Sequence, residues 1–181
     1  MTDCLQGAFS SGGGGNGGNG AWSNLGSTTL ESAGDTISIA SLADKDYLHV
    51  EGVALSDSGT PQAAIRLNDD SSSNYSSRYS INHGSDVTGV NADMMKIGDG
   101  ASVMIFFNID IMNNASNEKL MYSESSFFNS AGAGAGVAPT SMSVIGKWVN
   151  TADVIDRVDI INIDTGDFAI GSSATVFGTD A

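Results

Sequence analysis

Residues 102–112, SVMIFFNIDIM, carry the strongest structural signal in the chain. A large apolar side chain occupies every second position of this stretch: Val103, Ile105, Phe107, Ile109 and Ile111. Because successive side chains of a β-strand point to opposite sides, this spacing predicts a strand with one wholly apolar face. The opposite face mixes Met104 and Phe106 with Asn108 and Asp110. Such a strand is expected near the centre of a sheet.

Runs with the same alternation, rich in Ile, Val, Phe and Tyr, recur on both sides of this stretch. Clusters of Gly, Asp, Asn and Ser separate the runs, as in the turns between strands. Strands are expected near residues 22–30, 36–41, 47–55, 62–68, 75–81, 102–112, 118–123, 141–149, 157–163 and 174–177. Their number and spacing predict an all-β fold, an antiparallel β-sandwich of jelly-roll-like form.

Two stretches depart from the simple alternation. In YLHVEGVAL, residues 47–55, the apolar phase shifts at Gly52, which predicts a β-bulge. Residues 86–96 lack the period of two, and a helical turn or two is expected only there.

Length and charge limit the organisation and the partners. The 181 residues suffice for one domain, expected over residues 22–181 after an arm over residues 1–21. The net charge is −14, from 21 acidic and 7 scattered basic residues. This charge repels nucleic-acid backbones and anionic lipid headgroups, so neither nucleic acid nor a membrane is expected as a partner. The N-terminus has no signal sequence, and synthesis in the cytoplasm is expected.

The N-terminal arm is defined by residues 10–20, SSGGGGNGGNG, with seven glycines and two asparagines. A segment of this composition behaves as a flexible coil in isolation, and twenty residues reach about 65 Å when fully extended. The arm is therefore predicted to bind neighbouring subunits. The alternative is that it is a linker or a tag remnant. The predicted anchoring residues are Leu5, Phe9, Gly12, Gly13, Gly14, Gly15, Gly17, Gly18 and Gly20.

Motifs for catalysis or tight metal binding are missing from the sequence. His49 and His83 form no zinc-binding spacing with Cys4, and there is no GxSxG nucleophile motif. Calcium is the most reasonable metal, with three pairs of acidic residues as candidates: Asp44 and Asp46, Asp69 and Asp70, and Asp164 and Asp167. Aspartates also build turns through side-chain to backbone hydrogen bonds. No cofactor and no catalytic residue is therefore predicted.

The stretch RLNDDSSSNYSSRYS, residues 66–80, is predicted to form a hairpin in which Arg66 or Arg78 pairs with the acidic turn. An exposed polar binding tip is the alternative. The candidate tip residues are Asp69, Asp70, Asn74 and Tyr75.

Two segments resemble a known viral module: WSNLGSTTLESAGDTISIASLADKDYLHVEGVAL, residues 22–55, and AIRLNDDSSSNYSSRYSINHG, residues 64–84. They are similar to a recurrent β-sandwich module in structural proteins of tailed bacteriophages and related viruses. That module opens with Trp-x-x-Leu-Gly-x-Thr-Thr-Leu and continues with an Arg-x-Asn-x-Asp-Ser-x-x-Asn-Tyr hairpin. Here the hairpin is more compact, because Asn68 directly precedes Asp69. The module occurs in capsid decoration proteins and in fibres or spikes, and it brings no catalytic residues.

The resemblance and the arm together predict a non-enzymatic virion protein that decorates or cements a capsid. The expected partners are the major capsid protein or other virion subunits, and a homotrimer is expected. The alternative is a glycan-binding module of a tail fibre or spike. Its sugar-stacking aromatics are taken from Trp22, Tyr75, Tyr79 and Trp148. Core packing is the alternative for each of them and is favoured for the two tryptophans. A secreted carbohydrate-binding or hydrolytic domain is a third class, disfavoured by the missing signal sequence.

Overall fold

A computed structural model describes residues 21–99, 103–128 and 134–181. The predicted anchoring residues of the arm, from Leu5 to Gly20, lie outside the described residues. The described strands are β1 Ser23–Thr29, β2 Thr36–Ala40, β3 Tyr47–Leu55, β4 Ala63–Leu67, β5 Tyr75–Ile81, β6 Val87–Ala92, β7 Met95–Lys96, β8 Met104–Met112, β9 Lys119–Phe128, β10 Thr140–Trp148, β11 Arg157–Asn162 and β12 Ser173–Thr179. One 3₁₀ turn spans Gly134–Gly136.

The strands form two antiparallel sheets that pack as a sandwich. The large sheet has eight strands in the order β1-β12-β3-β8-β9-β10-β5-β6, and the small sheet has four in the order β2-β11-β4-β7. The predicted all-β antiparallel sandwich is confirmed. The strand bounds of β3 and β5 agree with the sequence prediction at both ends, whereas β9 continues to Phe128, five residues beyond its expected end.

The core lies between the two sheets, and β8 occupies a central place in the large one. Its inward residues Ile105, Phe107, Ile109 and Ile111 are almost fully buried. The small sheet presents buried residues from three strands to the same core: Ile37, Ile39, Ile65, Leu67, Val158 and Ile160. Burying a side chain of this size stabilises the fold by about 1.5–3 kcal/mol. The alternation in residues 102–112 is thus the pattern of a strand covered on one side.

The predicted bulge at Gly52 is wrong. Strand β3 pairs with β8 and with β12 in continuous register from Tyr47 to Val53 and beyond. Gly52 occupies an inward position directly opposite Phe107, and a Cβ there would lie 2.5 Å from the Phe107 ring and 2.4 Å from the Ser173 carbonyl oxygen. The apolar phase breaks in the sequence because the Phe107 ring fills the space of the missing side chain.

The helical turn expected within residues 86–96 is also wrong, because this stretch forms β6 and β7. Strand β6 pairs with β5 at the edge of the large sheet. The chain then crosses to the small sheet, where Met95 pairs with Ile65 and is fully buried. The short strands belong to different sheets, so no single period runs through the stretch.

The two edge strands of the large sheet are irregular. The register of β1 against β12 shifts between Asn24 and Gly26, and that of β5 against β6 shifts between Tyr75 and Ser77. Irregular, twisted edges discourage a further strand from pairing with the sheet. The broad outward face of the large sheet is therefore a better place for contacts with other molecules than its edges.

We expect Gly52→Ala to lower the free energy of unfolding by about 1–3 kcal/mol, because the new methyl group overpacks the Phe107 ring. Gly34→Ala is the matched control, since a Cβ at Gly34 meets no atom within 4 Å. Urea unfolding of both variants measures the difference. Equal midpoints for the two variants would contradict the assigned contact between Gly52 and Phe107.

Candidate functional site

The outward side of the large sheet exposes a set of large apolar side chains. We call this surface the outer face and define it by Trp22, Tyr47, Val90, Phe106, Leu120, Tyr122 and Ile145, all of them exposed. Monomeric proteins rarely leave a contiguous apolar surface open unless it binds something. The outer face is accordingly the candidate functional site.

Strand register brings the central part of the outer face into one row. Side chains that lie directly opposite each other run from β12 across to β10: Phe177, His49, Asp110, Tyr122 and Ile145. Cross-strand neighbours of this kind have Cβ atoms about 4.5–5.5 Å apart. The row therefore forms a band about 20 Å long, with polar side chains at its centre and apolar ones at both ends.

One end of the outer face is an aromatic cleft of about 460 Å³. We define the aromatic cleft by Trp22, Tyr47, Asp110, Met112 and Tyr122, with Leu120 at its far side. A second depression adjoins it, lined by Trp22, His49, Asp110 and Phe177. Trp22 contacts His49 edge-on, with ring centroids 5.9 Å apart. Trp22 and Asp110 border both depressions.

Polar groups converge on the aromatic cleft. Nδ1 of His49 lies 2.8 Å from Oδ1 of Asp110. Tyr122 donates a hydrogen bond to Glu124, and this bond raises the pKa of the Tyr122 phenol. The cleft thus combines aromatic surface with carboxylate acceptors at its rim, an arrangement suited to a ligand that is apolar on one side and rich in hydroxyl groups on the other.

The other end of the outer face is an aliphatic patch, formed by Leu120, Ile145 and Val90 around a shallow depression of about 310 Å³. Arg78 and Lys147 stand at its rim. Arg78 pairs with Asp86 at 3.1 Å, and Lys147 pairs with Glu118 at 2.7 Å. The patch is therefore an apolar surface with basic groups at its border in an otherwise acidic protein.

The predicted binding tip is largely a structural joint. Tyr75 is fully buried, so its expected exposure is wrong. The Tyr75 hydroxyl donates to the Leu67 carbonyl oxygen and accepts from the Leu67 N–H. Burial raises the pKa of Tyr75 well above its ordinary value. Asp69 is exposed, whereas Asp70 and Asn74 are half-buried.

Asp70 holds this joint together. One of its carboxylate oxygens, Oδ2, accepts from Nε1 of Trp148 at 2.7 Å and from Nδ2 of Asn74 at 2.8 Å. Burial by itself raises the pKa of Asp70, but the hydrogen bonds from Asn74, Trp148 and Ser72 outweigh it and lower the pKa below its ordinary value. Trp148 in turn stacks on Tyr75 with ring centroids 6.3 Å apart. An indole N–H in the core needs such an acceptor.

The arginines pair differently from the sequence prediction. Arg66 binds Asp93, with Nη2 at 3.2 Å from the carboxylate. Arg78 binds Asp86, as described above. Asp69 has Arg157 as its nearest basic partner, at 3.7 Å. The predicted pairing of Arg66 or Arg78 with the acidic turn is therefore wrong, because the chain turns at Asn68 and Asp69 with positive φ values of 51° and 54° that direct the turn toward β11.

Two of the aromatics expected to stack on sugars lie in the core. Trp148 and Tyr75 are almost completely buried, and Tyr79 is partly buried against the core. Only Trp22 of the four is well exposed, at 50%. The structure adds Tyr47 and Tyr122 to Trp22. Sequence analysis missed these two, although each lies on the strand face opposite to an apolar inward set.

The calcium candidates serve as turn and terminal contacts. Asp164 accepts from Nε2 of Gln62, and Asp46 accepts from the backbone N–H of Ala181. Within residues 21–99, 103–128 and 134–181, no group of three or more His, Cys, Asp or Glu side chains is arranged to hold a metal ion. Across the same described ranges no helix has the length and apolar character needed to cross a membrane.

Comparisons of the chain with protein-family models, with curated proteins and with solved structures give no significant match.

We expect alkaline pH to destabilise the wild-type protein more than Tyr75→Phe. The unfolded chain releases the Tyr75 proton near pH 10.0, whereas the buried phenol keeps it. Since the folded state then binds more protons, the free energy of unfolding falls above that pH, by about 1.4 kcal/mol at pH 11. Tyr75→Phe lacks this contribution, so its deficit relative to wild type should shrink from pH 8 to pH 11 in urea unfolding. A constant difference would contradict the buried, protonated phenol.

Proposed function

We propose that this chain is a non-enzymatic structural protein of a virus particle that decorates or cements the shell. In this proposal the outer face binds the major capsid protein or another virion subunit. The observation that carries it is the aliphatic patch, where Ile145 and Val90 are 63% and 70% exposed on a sheet that is otherwise well packed. Covering such side chains is a main source of binding free energy between proteins.

Cementing of this kind works by mass action. A protein that binds the assembled shell but not its free subunits stabilises the shell by its binding free energy at each site. The strongly negative net charge of −14 keeps the chain away from the enclosed nucleic acid.

The order of the strands supports the viral resemblance. The hairpins β5–β6 and β9–β10 both extend the large sheet. Without them the sheets are β1-β12-β3-β8 and β2-β11-β4-β7, and successive strands alternate between the sheets except for β4 and β7, which both belong to the small sheet. We interpret this order as a jelly roll with two inserted hairpins, an architecture used in capsid proteins and in sugar-binding domains.

The N-terminal arm and the homotrimer are further parts of the proposal. On the shell, the arm extends to neighbouring subunits and adds a second attachment to that of the outer face. Two linked attachments bind more tightly than either alone, because the second forms at a high effective concentration. A closed trimer increases the affinity for the shell in the same way, because its subunits carry linked copies of the same attachments.

The test is recovery of the chain with purified virus particles. We expect it to remain on intact particles at a fixed ratio to the shell subunit, counted by mass spectrometry. Ile145→Asp, added back to particles that lack the chain, should bind at least about tenfold more weakly, since a charge replaces a buried apolar contact. Ile170→Asp is the matched control, because Ile170 is 64% exposed and lies outside the strands. Equal binding of both variants would refute the proposed contact.

The second candidate function is recognition of a glycan by the aromatic cleft. The specific observation in its favour is the convergence of Trp22, Tyr47 and Tyr122 with the carboxylate of Asp110 around one cleft. Aromatic rings stack on the apolar face of a sugar, and carboxylates accept its hydroxyl groups. The net charge favours a neutral glycan over an anionic one.

If this second function operates, a glycan array should show binding to neutral glycans. Trp22→Ala should reduce that binding at least about tenfold by removing the stacking surface. Ile145→Asp should leave it unchanged, since Ile145 lies outside the aromatic cleft. If the wild-type protein binds no glycan on the array, glycan recognition is refuted, and the particle-binding proposal is unaffected.

A further inference from the structure

The aliphatic patch lies on the same face of the large sheet as Trp22, where the described chain begins. The first described residue is Ala21, directly before Trp22. Trp22 and Leu120 border the same cleft, and Leu120 also borders the patch with Ile145 and Val90. Trp22 directly precedes β1, which is four strands from β9 and five from β10 in the large sheet. Because neighbouring strands are about 4.8 Å apart, Leu120 and Ile145 lie roughly 19–24 Å across the sheet from the start of β1.

The segment that precedes Trp22 has the right length to reach the patch. Residues 10–20 are only Ser, Gly and Asn, eleven residues without a large side chain. A glycine-rich segment of this length has a root-mean-square span of about 18 Å and a limit of about 36 Å. Residues 1–9 can therefore reach Leu120 and Ile145, because roughly 19–24 Å is well within the limit of this connection.

Residues 1–9, MTDCLQGAF, also match the patch chemically. Met1, Leu5 and Phe9 recur at intervals of four and would project to one side of an extended segment. Asp3 supplies a negative charge between them. The patch offers apolar side chains, with Arg78 and Lys147 at its rim. These are two of only seven basic residues in the chain.

We propose that residues 1–9 dock on the aliphatic patch of their own chain in the free subunit. Docking within the chain prevails over docking between chains in dilute solution, because a short flexible tether gives the segment a millimolar effective concentration. The segment covers the apolar surface until a competing surface takes its place.

This contact acts as a latch, a role that rests on the proposed function. The free subunit hides both the patch and the apolar residues of the arm. On the shell, the partner displaces the arm from the patch, and the arm becomes free to extend to neighbouring subunits. Assembly is thereby confined to the particle surface, and the binding free energy of the patch is reduced by the cost of opening the latch.

The experiment uses Cys4, the only cysteine of the chain, as a reporter within the arm. Thr88→Cys places a second thiol at the exposed border of the patch. Under oxidised glutathione at micromolar protein, we expect a disulfide between Cys4 and the new cysteine within one chain, followed by mass spectrometry. Adding Leu5→Ser and Phe9→Ser should slow its formation at least about tenfold, because the tether stays the same while the anchors are lost.

Two results would overturn the proposal. One is an equal rate of disulfide formation with and without Leu5 and Phe9, which would mean that the tether alone brings the thiols together. The other is a predominance of disulfide-linked dimers, which would assign the arm to a second copy. Circular dichroism on each variant establishes that the sandwich is folded during the measurement.

The experiments can refute the latch and the proposed function independently of each other. If Leu5→Ser and Phe9→Ser do not slow disulfide formation while Ile145→Asp still weakens particle binding, the latch is refuted and the particle contact stands. If Leu5→Ser and Phe9→Ser slow disulfide formation while Ile145→Asp leaves particle binding unchanged, the docked arm stands and the particle contact is refuted. Binding of a hydrophobic dye gives a further readout, since deletion of residues 1–20 should increase it at the uncovered patch, and an unchanged signal would contradict the latch.

Discussion

The packing of the inward face of β8 against the small sheet is the interaction on which the rest of the structure depends. Ile105, Phe107, Ile109 and Ile111 fill the space between the sheets, and Gly52 leaves room for the Phe107 ring. Because side chains alternate along a strand, fixing this set inward fixes its neighbours outward. The outer face is therefore a consequence of the core. A shift of one residue in β8 would exchange the two faces.

The polar stretch that looks most like a binding site serves the core instead. Asp70 accepts the indole N–H of Trp148, and Trp148 stacks on Tyr75, whose hydroxyl binds the backbone of Leu67. Burying these aromatic rings requires partners for their polar atoms, and the turn supplies them. The apolar outer face has no such structural role, and its exposure has a cost in water. The outer face of the large sheet is therefore the better candidate for binding a partner.

The outer face has two chemically distinct ends. The aromatic cleft joins Trp22 and Tyr122 to the carboxylate of Asp110, whereas the aliphatic patch joins Ile145 to a basic rim. Leu120 borders both ends. A protein on a particle surface can use the patch for attachment and keep the cleft for a second ligand. Trp22, which follows the arm in the sequence, borders the aromatic cleft.

Most strands and their inward faces could be predicted from the sequence, because regular alternation, as over residues 102–112, follows directly from burial on one side. The sequence also determined the acidic, glycine-rich character of the chain. Three features required the three-dimensional fold: β6 and β7 belong to different sheets, Gly52 faces Phe107, and Tyr75 lies in the core beside Trp148. The outer face could not be predicted either, since Tyr47, Tyr122 and Ile145 are distant in sequence and meet only through strand register. Pairing between strands is a long-range choice, and local patterns do not encode which strands become neighbours.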